Sequence, residues 1–130
     1  MTTKKTKTRK NDPGVRTKLF IAAETIGVGK INLLELVGEC GSISEAARQM
    51  GMSYRRAWFL LDSMQSGFEQ PLLITERGGA GRGGAFITPL AKELIRRYRG
   101  HAELIEKNSA EILSWMGAVQ RTSIKATGDS

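Results

Sequence analysis

The chain has 130 residues, a formal net charge of +7 at pH 7 and a sequence pI of about 9.9, which predict one basic domain with tails and a polyanionic or acidic partner. A single cysteine, Cys40, excludes an intramolecular disulfide and favours a reducing compartment, so we expect a cytoplasmic protein. The sequence contains no apolar run of membrane-spanning length, no metal-ligand spacing and no pairing of a nucleophile with a base. We therefore expect no membrane partner, no metal or other cofactor and no enzyme activity.

The first segment, residues 1–14, carries five basic residues and no apolar residue after Met1. This composition predicts a disordered basic arm, which either adds phosphate contacts or is a solvated tail. Residues 15–23 contain a β-favouring run that predicts one short strand. The following stretch, 30–40, has the apolar spacing of a largely buried helix that ends at Gly41.

Residues 42–68 predict two short helices separated at Gly51, the layout of a helix-turn-helix. Ser42 and Glu45 form the pattern of a capping box, and Ser53 is placed to cap the second helix. In that helix Ala57, Leu61 and Met64 share one face, which predicts a buried stripe. The residues that we predict to contact DNA from these two helices are Ser42, Ser44, Ser53, Tyr54, Arg55, Arg56 and Phe59.

Two arginines at the start of a helix can place donors in a major groove, where arginine binds guanine O6 and N7. The competing interpretation of residues 42–68 is an αα-hairpin with a solvated basic face.

Residues 71–88 predict a β-hairpin, because two short apolar strands flank the glycine-rich sequence RGGAGRGG. A hairpin directly after a recognition helix has the sequence form of a winged helix-turn-helix. The predicted backbone contacts with DNA are Arg77, Gly78, Gly79, Gly81, Arg82 and Gly83. An anion-binding nest is the alternative, whereas a P-loop is disfavoured because the Gly-Lys-Ser/Thr ending is missing.

A long last helix is predicted over residues 89–116, with Thr88 as its cap and Pro89 at its first position. Its apolar face exceeds what a small core covers, so we expect a homodimer, although the helix could instead fold back on its own domain. The predicted dimer contacts are Leu94, Tyr98, Ile105, Ile112, Leu113, Trp115 and Met116. The predicted organisation is thus an arm (1–14), a winged domain (15–88), a dimerisation helix (89–116) and a flexible tail (117–130).

Three segments, GSISEAARQMGMSYRRAW (41–58), GGAGRGGAFITP (78–89) and LIRRYR (94–99), together resemble the DNA-binding domain of ModE-type molybdate-responsive transcriptional regulators. The helix-turn-helix alone also resembles the LysR type, but Trp58 and the glycine-rich hairpin favour the ModE type. The resemblance implies that residues 53–56 face the major groove and that residues 78–84 touch the flanking backbone. It also leads us to expect Trp58 to pack behind the recognition helix. Phe59 departs from the family, which often has aspartate at this place.

The expected fold is mainly α with a small β component, and the expected function is sequence-specific binding of double-stranded DNA in transcriptional regulation. The molybdate-sensing members carry C-terminal oxyanion-binding domains that these residues do not include, so we expect no small-molecule effector within this chain. Two alternatives stay open: an adaptor module that binds nucleic acid only non-specifically, and an oxyanion-responsive regulator that uses the glycine-rich hairpin.

Overall fold

The structure is a computed structural model that describes residues 12–77 and 83–121. Within those residues the chain is mainly α-helical, with two small antiparallel sheets of two strands each. The chain divides into two compact units. One unit is Arg16–Ala102, and the other joins Met1–Val15 to Glu103–Ser130. Residues 1–11 of the predicted basic arm and residues 122–130 of the predicted tail lie outside the described residues.

The first sheet is a hairpin of β1 (Leu19–Ile21) and β2 (Glu24–Ile26). The sequence predicted only one strand here, because the turn is Ala22-Ala23 rather than a glycine or asparagine pair. Both alanines have positive φ, 49° and 69°. This left-handed conformation costs an L-residue about 1–2 kcal/mol. Packing offsets this strain: Ile21 lies so close to Gly67 that a Cβ on that glycine would be 2.8 Å from the isoleucine Cγ2.

Helix α1 (Val28–Cys40) forms the centre of the core of Arg16–Ala102. It begins two residues before the predicted start and ends as predicted at Gly41, whose φ of 71° is left-handed. Its four buried side chains, Ile31, Leu33, Leu34 and Val37, are all 0% exposed. Each buried side chain of this size stabilises the fold by about 1.5–3 kcal/mol.

Helices α2 (Ile43–Gln49) and α3 (Tyr54–Gln65) pack on α1 and on each other. The reversal after α2 uses Gly51 at a φ of 71°, as the sequence predicted. The predicted stripe of α3 is confirmed, since Ala57, Leu61 and Met64 are at most 4% exposed. One flank of α3 is tied to the first hairpin: the Lys30 ammonium donates to the Ser63 hydroxyl (3.1 Å), which donates to a carboxylate oxygen of Glu24 (2.6 Å).

The second sheet pairs β3 (Leu73–Arg77) with β4 (Gly83–Ile87), with Leu73 opposite Ile87 and Arg77 opposite Gly83. The predicted hairpin of residues 71–88 is therefore present. Gly78, Gly79, Gly81 and Arg82, the predicted contacts at its tip, lie outside the described residues.

Two helices cover the region for which one was predicted: α4 (Pro89–Asn108) and α5 (Ala110–Val119). The single helix of residues 89–116 is not confirmed, because α4 ends at Asn108 and α5 begins at Ala110, with Ser109 between them at φ −93° and ψ −2°. The Ser109 N–H still donates to the Ile105 carbonyl oxygen at 2.9 Å, and the Ser109 hydroxyl donates to the same oxygen at 2.6 Å.

Candidate nucleic-acid interface

The N-terminus of α3 presents a cluster of polar and basic side chains to solvent. Ser53 caps the helix, and its hydroxyl accepts from the backbone N–H of Arg56 at 3.0 Å. The next three side chains, Tyr54, Arg55 and Arg56, are exposed. The exposure of Arg55 and Arg56 follows from local sequence, because both lie off the buried stripe of α3, which begins at Ala57.

The electrostatics of this turn favour an anion. The first turn of α3 contains no acidic residue, and the partial positive charge of a helix N-terminus adds to the two guanidinium charges. Within residues 12–77 and 83–121, neither Arg55 nor Arg56 forms an ion pair with a carboxylate. Both guanidinium groups are therefore available to an external acceptor.

Helix α2 supplies the other predicted contacts. The Ser42 hydroxyl caps it by accepting from the Glu45 N–H at 3.1 Å, and Ser44 is exposed. The reciprocal half of the predicted capping box is wrong. Glu45 is instead bound by Arg48 and by the Gln49 amide at 2.9 Å, and these hydrogen bonds lower the pKa of Glu45 to about 2.

Two aromatic side chains follow on α3. Phe59 is 67% exposed, so it lies on the open side of the helix with the two arginines. Trp58 was expected to pack behind the helix, but it is 48% exposed. It instead borders a cavity of about 120 Å³ beside the core, which is lined by Leu34, Trp58, Leu61, Asp62, Met64, Gln65, Leu72, Leu73 and Thr75.

The second hairpin is anchored at the end of α1 by backbone and side-chain contacts. The Ala85 N–H donates to the Gly41 carbonyl at 3.0 Å, and a Cβ on Gly38 would lie 2.6 Å from Ile87 Cδ1. The base of the hairpin is closed by Thr88, whose N–H donates to the Leu72 carbonyl at 3.0 Å. The β4 strand thus lies directly against the end of α1.

Sequence reasoning missed Gln65, which connects α3 to the hairpin. Its amide nitrogen donates to the Gln70 carbonyl at 2.9 Å and to the Phe68 carbonyl at 3.3 Å, while its oxygen accepts from the Leu72 N–H at 2.7 Å. No sequence signal marks this role, since a glutamine in a last helical turn is usually a solvated residue.

The predicted dimer residues differ in their surroundings. Tyr98 is 3% exposed and its hydroxyl donates to the Thr17 carbonyl at 2.6 Å, so it belongs to the core of Arg16–Ala102. Leu94 is half-buried against that core, and Ile105 and Leu113 are half-buried. By contrast, the exposed members all lie on α5, and these are Ile112 (58%), Trp115 (64%) and Met116 (41%).

In the part of the chain that the structure describes, the helices are too short or too polar to cross a bilayer. The same residues contain no group of three or more histidine, cysteine, aspartate or glutamate side chains able to hold a metal ion.

No protein-family model matches the chain. Among curated proteins, it is 34% identical over 97 residues to the DNA-binding transcriptional dual regulator ModE of Escherichia coli K12, covering 75% of this chain and 37% of that protein. It is 30% identical over 105 residues to the transcriptional regulator ModE of Haemophilus influenzae, covering 75% and 41%. It is 37% identical over 89 residues to the molybdenum-pterin-binding protein MopB of Rhodobacter capsulatus, covering 68% and 32%.

The chain thus spans about a third to two-fifths of the length of these relatives. Their names describe regulators and a molybdenum-pterin-binding protein. Over about two thirds to three quarters of its own length, the chain is therefore similar to ModE-type transcriptional regulators and to a molybdenum-pterin-binding protein.

Proposed function

We propose that this chain is a winged helix-turn-helix regulator that binds double-stranded DNA sequence-specifically, with the first turn of α3 in the major groove. The observation that carries the proposal is the pair of exposed arginines, Arg55 and Arg56, which have no carboxylate partner among the described residues. Guanidinium groups that are not neutralised within the protein can bind guanine edges or phosphates.

The hairpin of β3 and β4 serves as the wing in this proposal. Its anchoring on Gly41 and Gln65 supports a fixed distance between wing and α3, so that both can bind one duplex at once. The glycines and arginines of the wing contribute phosphate contacts, which add affinity without base preference. Ser42 and Ser44, at the start of α2, are placed by the same proposal at the flanking backbone.

A dimer is the second part of the proposal. Ile112, Trp115, Met116 and Val119 are spaced at i, i+3, i+4 and i+7 on α5, and each is at least 41% exposed. A stripe of this kind is the apolar seam of a helix that pairs with another helix. We therefore propose that α5 of one protomer packs on the partner subunit, and we leave Tyr98 out of the interface because it is buried within its own protomer.

The DNA proposal is tested by selecting duplexes from a fragmented genomic pool and measuring fluorescence anisotropy across a salt series. Selected duplexes are expected to bind at least about 10³-fold more tightly than random ones, and the difference should persist as salt rises. Weak binding of every duplex with the same steep salt dependence would contradict the proposal and favour an adaptor whose charge attracts nucleic acid only non-specifically.

The dimer is tested by light scattering of the full chain and of Trp115→Glu. The wild type should have the mass of two chains, and the variant should have the mass of one. Phe20→Glu is the matched control, since Phe20 is another exposed aromatic residue (74%) but lies on β1. An unchanged mass for Trp115→Glu would contradict the role of α5.

A molybdenum-linked function is the second candidate, because the relatives include proteins named as molybdenum-pterin-binding. It would make this chain an oxyanion-responsive regulator. Isothermal titration of the full chain with molybdate and with tungstate tests it. Saturable heat at micromolar ligand would support this candidate, and the absence of heat at millimolar ligand would exclude it for these residues.

A further inference from the structure

Phe59 is the most exposed large apolar side chain of α3 and points away from the core. It lies two residues after the fully buried Ala57, which is about 200° around a helix of 3.6 residues per turn. Its ring is 67% exposed, against 50% for Tyr54 and 48% for Trp58. The ring is also outside the group of apolar side chains that pack against the core, so the fold does not depend on it.

The ring has two basic neighbours on the same face. Arg55 precedes it by four residues and Arg56 by three, and residues at these spacings are adjacent on a helix surface. If the arginines enter a major groove, the ring of Phe59 enters with them. An apolar ring beside two charged groups then meets the edges of the bases.

The major groove presents one common apolar group, the 5-methyl of thymine, among its hydrogen-bond donors and acceptors. Resting on the proposed function, we infer that Phe59 determines specificity by packing on the methyl group of a thymine next to the bases bound by Arg55 and Arg56. This contact removes apolar surface of both the phenylalanine ring and the methyl group from water, and no charge takes part in it.

Asp62 limits how far along α3 the bases are read. Its side chain is exposed and follows Phe59 by three residues. A carboxylate is repelled by phosphates and by the acceptor-rich guanine edge. Base contacts are therefore confined to the first two turns of α3, which places the thymine close to the arginine-bound bases.

The experiment uses the full chain and a duplex obtained in the selection described above. Each thymine is replaced in turn by deoxyuridine, which removes the methyl group and leaves every hydrogen-bonding atom in place. Wild-type protein is expected to lose about three- to tenfold in affinity at one or two positions, the effect of one or two buried methyl groups. The loss should be the same at low and high salt, because no charge changes.

Phe59→Ala is expected to bind the unmodified duplex more weakly than the wild type does, by the same factor that deoxyuridine costs the wild type. Deoxyuridine should cause no further loss of affinity in this variant. Phe59→Leu, which keeps an apolar contact, should retain part of the effect. Phe20→Ala is the matched control, being another exposed phenylalanine, and should keep the full deoxyuridine effect. Equal thermal midpoints for the three variants and the wild type would show that folding is unchanged.

The outcomes separate this inference from the proposed function. If a duplex is selected and deoxyuridine has no effect at any position, or if Phe59→Ala keeps the effect, the thymine contact is wrong while the DNA proposal stands. If the selection yields no preferred duplex, both are wrong.

Discussion

Helices α3 and α4 both present arginines to solvent, but they differ in what surrounds the charge. On α4, Arg97 donates to a Glu93 oxygen at 2.6 Å, and Arg96 donates to both oxygens of that carboxylate. On α3, the first turn contains Arg55 and Arg56 without an acidic residue. Two helix surfaces with two arginines each thus differ electrostatically: on α4 the arginines share one carboxylate at i−3 and i−4, which neutralises one of the two charges, and on α3 the first turn has no carboxylate.

The contrast shows why net charge alone says little about where a polyanion binds. A carboxylate one turn away competes with phosphate for the same guanidinium donors. The pairs on α4 are largely exposed and contribute little to stability, but they do lower the affinity of this surface for an anion. The α3 turn keeps its full charge, and this is why we propose it as the interface.

The largest expected effect is on DNA specificity. Replacing Arg55 or Arg56 by alanine should reduce the preference for a selected duplex by about 1–3 kcal/mol each, because each removes a guanine contact. Anisotropy titrations with selected and random duplexes measure the preference. The double variant Arg96→Ala, Arg97→Ala removes the same formal charge and should leave the preference unchanged. An equal loss of preference in Arg96→Ala, Arg97→Ala and in the matching double variant Arg55→Ala, Arg56→Ala would remove the distinction between the two helices.

The next effect is expected on stability, from a single substitution at the start of α4. The Thr88 hydroxyl donates to the Pro71 carbonyl at 2.8 Å and accepts from the Ala91 N–H at 3.2 Å, in a residue that is 8% exposed. Thr88→Val removes the hydroxyl and leaves the Pro71 carbonyl and the Ala91 N–H without this hydrogen-bond partner. The free energy of unfolding should therefore fall by about 1–3 kcal/mol. Urea denaturation measures the change, and Thr88→Ser, which keeps the hydroxyl, should recover most of it. A loss of stability as large in Thr88→Ser as in Thr88→Val would show that packing, and not hydrogen bonding, fixes this cap.

Removal of the Ser53 cap of α3 should lower stability less than Thr88→Val does, but it should also lower the affinity for DNA. Ser53→Ala removes one exposed cap bond, which costs about 1 kcal/mol in unfolding. The first turn then frays, so affinity for a selected duplex should fall although no arginine has changed. Ser66→Ala is the control, because that hydroxyl donates only to the Asp62 carbonyl at the other end of α3. If Ser53→Ala lowers stability without lowering affinity, the order of the first turn is not needed for DNA binding.

The smallest expected effect is the pH response of the α4 pairs. Hydrogen bonds from Arg96 and then Arg97 lower the pKa of Glu93 from 4.5 to about 2. Because the folded pKa lies below the ordinary value, the stabilisation is present above pH 4.5 and is lost as pH falls towards 2. Carboxyl-carbon NMR should give a Glu93 midpoint near 2, and Arg96→Ala, Arg97→Ala should raise it towards 4.5. A Glu93 midpoint that stays near 4.5 in the wild type would mean that the carboxylate is not paired in solution.

Much of the candidate site was predictable from local sequence. Ser53 as a cap, Gly51 as the reversal and Ala57, Leu61 and Met64 as the buried stripe all depend on residues within one or two turns of each other. Local rules describe such features because hydrogen bonds and periodicity act over short chain distances. The exposed position of Arg55 and Arg56 follows from the same stripe.

Other features required the fold. The turn at Ala22-Ala23 has no local signal and is held in place by Ile21 against Gly67. Burial of Tyr98 depends on Thr17, which is 81 residues earlier in the chain. The sequence alone also predicted one last helix where the structure has α4 and α5, because apolar periodicity continues across Ser109 and does not indicate the interruption.

By itself the sequence therefore determined which helix end is basic, which face of that helix is buried and where a hairpin follows, because caps, periods and turn residues are local. Tertiary structure decided which aromatic side chains stay exposed and how the hairpin is anchored on Gly41 and Gln65. Those properties depend on groups that are distant in the chain and become neighbours only when the core of Arg16–Ala102 is packed.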